Sequence, residues 1–192
     1  MELRPIEQVK AWYDSELCEA FPPNERKPLS AIQALMGQGR YQLWGLYEGK
    51  DLLGYATLWL EPSAPSCLLL DYLGVTATLR NRGLGGEILR LLAERCAGRA
   101  CILAEAECPV DGAEEAENAL RLRRLAFYER CGFRPAYEMA TCGMRFRTLI
   151  AGPFPSDLSK TMQTHKAIYG HDRIDVVIPL PPGESPPPSL FI

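Results

Sequence analysis

The first apolar positions of the chain recur at helical spacing. Ile6, Val9, Tyr13 and Leu17 fall on one face of a helix expected over residues 5–20, and Pro22 and Pro23 close it. Pro28 opens a shorter helix through Leu29, Ile32 and Leu35, which Gly37 and Gly39 stop. The pattern then becomes extended. YQLWGLYE and LLGYATLWLE flank Gly49-Lys50-Asp51 and read as an antiparallel hairpin, with Pro62 and Pro65 beyond its second strand. The run CLLLDYLGV, residues 67–75, is almost continuously apolar, as a strand covered on both faces should be.

A glycine stretch, RNRGLGGEIL, follows directly, and Ile88, Leu89, Leu91, Leu92 and Cys96 then mark a helix that Gly98 ends. ACILAEAE predicts a strand, CPVDGAEEAE an acidic loop, and NALRLRRLAFYER a helix with Leu122, Leu125, Ala126 and Glu129 at turn spacing. Gly132 suits a left-handed cap. Strands are expected over 134–139 and 142–149. The order α, α, β, β, β, α, β, α, β, β describes a mixed α/β domain over residues 1–150. Residues 151–192 form an extension: a helix over 156–169 with Leu158, Met162 and His165 inward, an edge strand from RIDVVIPL, and an exposed proline-rich end with polyproline character.

Composition narrows the function classes. With 192 residues, 47% of them apolar, the chain fits one soluble domain. A net charge of −3 argues against nucleic acid and anionic membrane as partners, so an anion must be held by a local site. No signal-peptide pattern and no membrane-length apolar run are present, which places the expectation in the cytoplasm. Seven cysteines without C-x-x-C spacing read as free thiols, and with His165 and His171 as the two histidines no metal site is expected.

The glycine stretch carries the chemistry. Glycine early in a helix is costly, because it gives up backbone freedom without returning packing. A strand that ends in glycines opening onto a helix, however, presents several N–H groups at the positive end of the helix dipole, and that is a phosphate cradle. Neither G-x-x-x-x-G-K-[ST] nor G-x-G-x-x-G fits Gly83, Gly85 and Gly86. The wider pattern does have a match. Leu73-Gly74-Val75, then Arg80-x-x-Gly83-x-Gly85, and later Phe127-Tyr128-Glu129-Arg130-Cys131-Gly132-Phe133 closely resemble the GCN5-related N-acetyltransferase (GNAT) family over residues 41–149.

The resemblance implies a GNAT-like acyl-CoA N-acyltransferase fold: a mixed, mostly antiparallel central sheet flanked by helices, with splayed central strands. It further implies acetyl-CoA as co-substrate. Arg80, Asn81, Arg82, Gly83, Leu84, Gly85 and Gly86 would bind its pyrophosphate, and the main chain of Leu73, Gly74 and Val75 its pantetheine arm. Tyr128 matches the family tyrosine near the sulfur and becomes the candidate general acid. Two departures stand out: Ala77 replaces a frequent proline, and Arg121 and Arg124 stand where many members have asparagine and alanine.

The base is left open among several groups. Glu105 and Glu107 alternate onto one face of their strand, and Glu105 matches a glutamate of family members that acetylate peptide N-termini. Asp71, set in an apolar strand, is the rival: it is either hydrogen-bonded to structure or tuned to take a proton. Water is a further route. Phe21, Glu25 and Arg26 lie in the segment where family members build the acceptor side, and the four carboxylates of DGAEEAE would suit a cationic acceptor such as a polyamine or aminoglycoside; the acceptor expected is a small-molecule or peptide amine. A non-catalytic coenzyme A or acyl-CoA sensor of the same fold is the competing class, and edge strands leave room for a homodimer.

Overall fold

The computed structural model describes residues 1–98, 100–170 and 172–189. The chain forms two compact units, Met1–Pro62 with Leu70–Arg95 and Ser63–Leu69 with Cys96–Ile192. Seven strands run in the order β1-β2-β3-β4-β5-β7-β6, mostly antiparallel and flanked by helices, the mixed α/β class expected from the sequence.

In the first unit, β1 (Glu2–Pro5) pairs with β2 (Tyr41–Glu48), which pairs with β3 (Asp51–Leu60). The strand β1 corrects the expectation of a helix from residue 5. Ile6 still donates its N–H to Leu43 O, and helix begins only at α1 (Val9–Trp12), continuing through a π-helical turn at Tyr13–Leu17 into α2 (Cys18–Ala20). Ile6 and Val9 fit either period, and the free edge of β2 decides for extended backbone. Pro5 fits there because an edge strand can do without one N–H.

Helix α3 (Leu29–Gly37) packs on β2 and buries Ile32 completely. Between Leu46 and Tyr47 the β2–β3 register shifts: Tyr47 faces Leu52 but Leu46 faces Gly54, so Leu53 is an extra residue in the ladder. The C-terminal part of β4 (Cys67–Val75) follows, and then α4 (Leu84–Cys96), whose Ile88, Leu89 and Leu92 are buried. Each such aliphatic side chain contributes about 1.5–3 kcal/mol through removal from water.

The second unit holds the start of β4, β5 (Cys101–Glu107), α5 (Glu115–Arg130), β6 (Arg134–Thr141), β7 (Met144–Ala151) and α6 (Leu158–Tyr169). Helix α5 starts earlier than the apolar spacing predicts and takes Glu115 and Glu117 into its first turn, where the helix dipole favours negative charge. Leu122 and Glu129 are exposed instead of lying on a buried face, which belongs to Tyr128. The expected strand start at Cys142 is a turn instead. Cys142 and Gly143 both have positive φ, at 51° and 74°, and close a two-residue hairpin between Thr141 and Met144.

On α6 the buried positions are Thr161, His165 and Ile168, with Leu158 and Met162 only half-buried. The expected edge strand shrinks to one bridge, Ala140 to Val177, plus a bond from Leu180 N to Glu138 O. Pro179, Pro181 and Pro182 have no N–H with which to lengthen it. The proline-rich end is not wholly free: Arg145 donates to Glu184 O, and Pro187 and Ser189 approach Gly143. His171 lies outside the described residues.

Candidate functional site

In the first unit β4 ends at Val75, and Thr76 N is caught by Leu53 O at 3.1 Å, the carbonyl of the extra residue in β3. A single turn at Ala77–Leu79 leads to Arg80, Asn81, Arg82 and Gly83, all exposed. Arg80 Nε donates to Val75 O at 3.3 Å, which folds its side chain back along the loop. Asn81 and Gly83 have φ of 64° and 80°. Gly83 suits glycine because of that positive φ and not for want of space, since an added Cβ would meet nothing within 4 Å. Glu87 N then bonds Gly83 O, and among the described residues the N–H groups of Leu84, Gly85 and Gly86 have no main-chain acceptor. These three half-buried residues form the first turn of a thirteen-residue helix, so unpaired donors and the positive dipole end coincide.

Leu73, Gly74 and Val75 are half-buried at the end of β4. Gly74 has a packing reason of its own. A Cβ there would stand 2.3 Å from Tyr55 Cζ, so the ring of Tyr55 fills the space a side chain would take. Tyr55 is 1% exposed, and among the described residues its hydroxyl has no hydrogen-bond partner.

Asp71 lies in the same unit and is fully engaged. Its Oδ1 is 2.6 Å from Lys27 Nζ, and its Oδ2 accepts from Tyr41 OH at 2.5 Å. Because the carboxylate only accepts, Tyr41 gives it the phenolic proton and takes a bond from Thr57 Oγ1 at 2.8 Å. Thr57 Oγ1 in turn accepts from Tyr72 N. Burial first, and then the Asp71 charge, push the phenol of Tyr41 well above its ordinary value. Lys27 Nζ also sits 4.3 Å from the ring centre of Trp59 and 5.5 Å from that of Tyr72. Of the acceptor-side residues expected from sequence, Phe21 packs edge-on against Tyr72, and Glu25 contributes its carbonyl to Tyr72 OH.

In the second unit, Glu105 is held by α6. His165 Nε2 is 2.8 Å from Glu105 Oε1, and Tyr169 OH reaches both carboxylate oxygens at 2.9 and 2.7 Å. The acceptor-only carboxylate requires a proton on Nε2, so in the neutral ring Nδ1 accepts from Tyr137 OH at 3.0 Å. Glu107 is tied instead to Arg121 at 3.1 Å and Arg124 at 3.4 Å. Those two arginines neutralise a strand carboxylate and the first turn of their own helix, since Arg121 also reaches Glu117. Tyr128 is 9% exposed, packs edge-on against Phe133, and among the described residues its hydroxyl has no partner. Burial pushes its phenol up to about 12, against the opposing pull of Arg124.

Sequence reasoning missed Lys27, Tyr41, Trp59, Tyr137 and Tyr169. An ideal hairpin about Gly49-Lys50 would set Tyr41 opposite Leu58. The extra Leu53 shifts the ladder, so Tyr41 stands opposite Trp59. The inward position of His165 was readable from helical spacing, but its partner was not. Among the described residues no group of three His, Cys, Asp or Glu side chains could hold a metal ion, and no helix is long and apolar enough to cross a membrane. Cys67 and Cys101 lie 3.3 Å apart as free thiols.

A model of the acetyltransferase (GNAT) family matches residues 9–133. YjbC of Bacillus subtilis (strain 168), named as a candidate acetyltransferase, is 33% identical over 139 residues, which are 72% of this chain and 62% of YjbC; the chain thus spans less than two thirds of that relative. Among solved structures, a candidate GNAT acetyltransferase from Bacteroides thetaiotaomicron superposes with a TM-score of 0.69 at 22% identity, covering 89% of this chain and 99% of the other. An aminoglycoside 6′-N-acetyltransferase complexed with coenzyme A gives 0.61 at 15% identity, over 82% and 99%. With the family model spanning more than half of its length and a third of the YjbC alignment identical, the chain belongs to the acetyltransferase (GNAT) family.

Proposed function

We propose that the protein transfers an acetyl group from acetyl-CoA to a primary amine, by direct attack of the amine on the thioester. The observation that supports this most is the set of unpaired N–H groups on Leu84, Gly85 and Gly86 at the head of α4. They suit a diphosphate, with Arg80, Asn81, Arg82 and Gly83 exposed beside them. A protein of similar fold, the aminoglycoside 6′-N-acetyltransferase, is complexed with coenzyme A.

Acetyl-CoA supplies an activated acyl carbon and a thiolate leaving group. The chain's part is to hold, orient and manage protons. The main chain of Leu73, Gly74 and Val75 aligns the pantetheine arm, and a main-chain N–H there polarises the carbonyl, a role in which one donor contributes about 3 kcal/mol in other enzymes. Tyr128 returns a proton to the departing sulfur, and its high pKa keeps that proton in place across the working pH range. Asp71 and Glu105 are the candidate bases. Glu107 is the weaker choice because two guanidinium groups already hold it.

A second reading, a non-catalytic coenzyme A sensor, draws on one observation: the carboxylates of Asp71 and Glu105 are both already engaged by donors of the protein. Calorimetry with coenzyme A tests the common ground. The wild type should bind, and Gly85→Val should bind about a hundredfold more weakly, as expected for two lost charge-assisted bonds. No heat with folded wild type overturns both readings. Thiol release from acetyl-CoA with a panel of amines separates them: turnover that falls in Tyr128→Phe supports the enzyme, and binding without turnover of any amine supports the sensor.

A further inference from the structure

Lys27 is an unusual residue to find at its position. Its main chain is pinned on both sides, with N donating to Tyr72 OH at 2.8 Å and O accepting from Tyr13 OH at 3.1 Å. The anchored backbone sends the side chain inward, and Nζ comes to rest among the Asp71 carboxylate, the Trp59 ring and the Tyr72 ring. The lining is almost wholly buried: Tyr41, Thr57, Trp59 and Tyr72 are each 6% exposed or less. A surface ion pair needs no such lining, because water stabilises both charges. An aromatic wall facing a carboxylate is instead the chemistry that selects an organic ammonium over water or a neutral group.

A lysine side chain ends in a primary ammonium on a straight alkyl chain. The acceptor in the proposed reaction carries the same group, and Asp71 lies two residues before Leu73-Gly74-Val75 on β4, on the same side of the strand as Leu73 by alternation. We propose that this box is the subsite for the acceptor's primary ammonium, and that Lys27 occupies it as an internal stand-in until an acceptor displaces it. The inference rests on the transferase reading and deepens it, because it names the substrate class: an unbranched aliphatic primary amine. Displacement leaves the anchoring bonds of Lys27 in place, since they are made by the main chain, and only a flexible side chain has to swing toward solvent.

The test titrates n-butylammonium chloride by calorimetry into the full-length wild type and Lys27→Met, with n-butanol and potassium chloride as controls. Lys27→Met keeps the alkyl volume and removes the competing charge. It should bind butylammonium about tenfold more tightly than wild type, butanol should bind neither protein, and adding Asp71→Asn should abolish the gain. In acetyl-CoA-dependent turnover of butylamine, KM should fall by the same factor. Equal affinities in the two proteins, a gain that survives without the Asp71 carboxylate, a KM that does not follow, or no turnover while coenzyme A binds each overturn the proposal. Should Lys27→Met not fold, Lys27→Gln, whose amide still donates to Asp71, must show the same direction at smaller size. Failure of the transferase reading looks different: coenzyme A then gives no heat with wild type, whatever the ammonium titration shows.

Discussion

Each of the two units holds a half-buried carboxylate on a strand, and the two satisfy it in different ways. Asp71 faces a full positive charge, Lys27, at 2.6 Å, on a side chain proposed above to leave. Glu105 faces donors fixed on one helix, His165 and Tyr169, with His165 wholly buried and itself held by Tyr137. An ion pair with a mobile member can exchange its cation for another of the same kind. A carboxylate locked by donors fixed on one helix keeps its orientation but has little to exchange. The contrast makes Asp71 the group suited to meeting a cationic substrate and Glu105 the group suited to holding a fixed geometry.

Turnover breaks this comparison most directly. Asp71→Asn and Glu105→Gln are to be assayed side by side with acetyl-CoA and an amine, and whichever carboxylate is the base should lose about a hundred- to ten-thousandfold in kcat. A large loss in Glu105→Gln alone would reverse the assignment of roles given above. Stability sharpens the comparison next. Asp71→Asn keeps an amide oxygen for Tyr41 and lets the Lys27 side chain turn to solvent, and should cost about 1 kcal/mol in urea unfolding, whereas Glu105→Gln leaves the wholly buried His165 with a weaker partner and should cost about 2 kcal/mol.

Asp175 supplies a third case, this one fully buried and tied down outright. Arg173 grips both of its oxygens at 2.8 and 2.9 Å, and Cys142 N adds a third bond at 3.0 Å. The guanidinium holds its carboxyl at about 2, below the ordinary aspartate value. Its stabilisation is therefore fully present above about pH 4 and is lost as pH falls toward about 2, a change of about 2 kcal/mol. Urea midpoints measured across that window should fall with acid in wild type and fall less in Asp175→Asn.

How much was legible follows from how local each feature is. The glycine loop, the tyrosine of α5 and the cap at Gly132 are written in consecutive residues, so the family and the candidate cofactor residues could be read directly. The strand β1 could not, because four residues carry too little pattern and only the free edge of β2 makes them extended. The Lys27 box joins residues 14 to 45 positions apart, through a register that no hairpin rule supplies. Glu105 illustrates the same limit: its strand was readable, but its partners come from α6, beyond the 9–133 stretch that matches the family.

The extra residue in β3 has a consequence for how this chain tolerates changes in length. Shortening or lengthening the tip at Gly49 and Lys50 leaves the phase of the downstream ladder intact. Deleting Leu53, by contrast, would let the ladder close without a bulge, with Leu46 still facing Gly54 and Tyr41 still facing Trp59, but would withdraw the carbonyl that fastens Thr76. One apolar residue with no chemistry of its own, dispensable for the pairing of the aromatic wall, thus fastens the start of the anion loop.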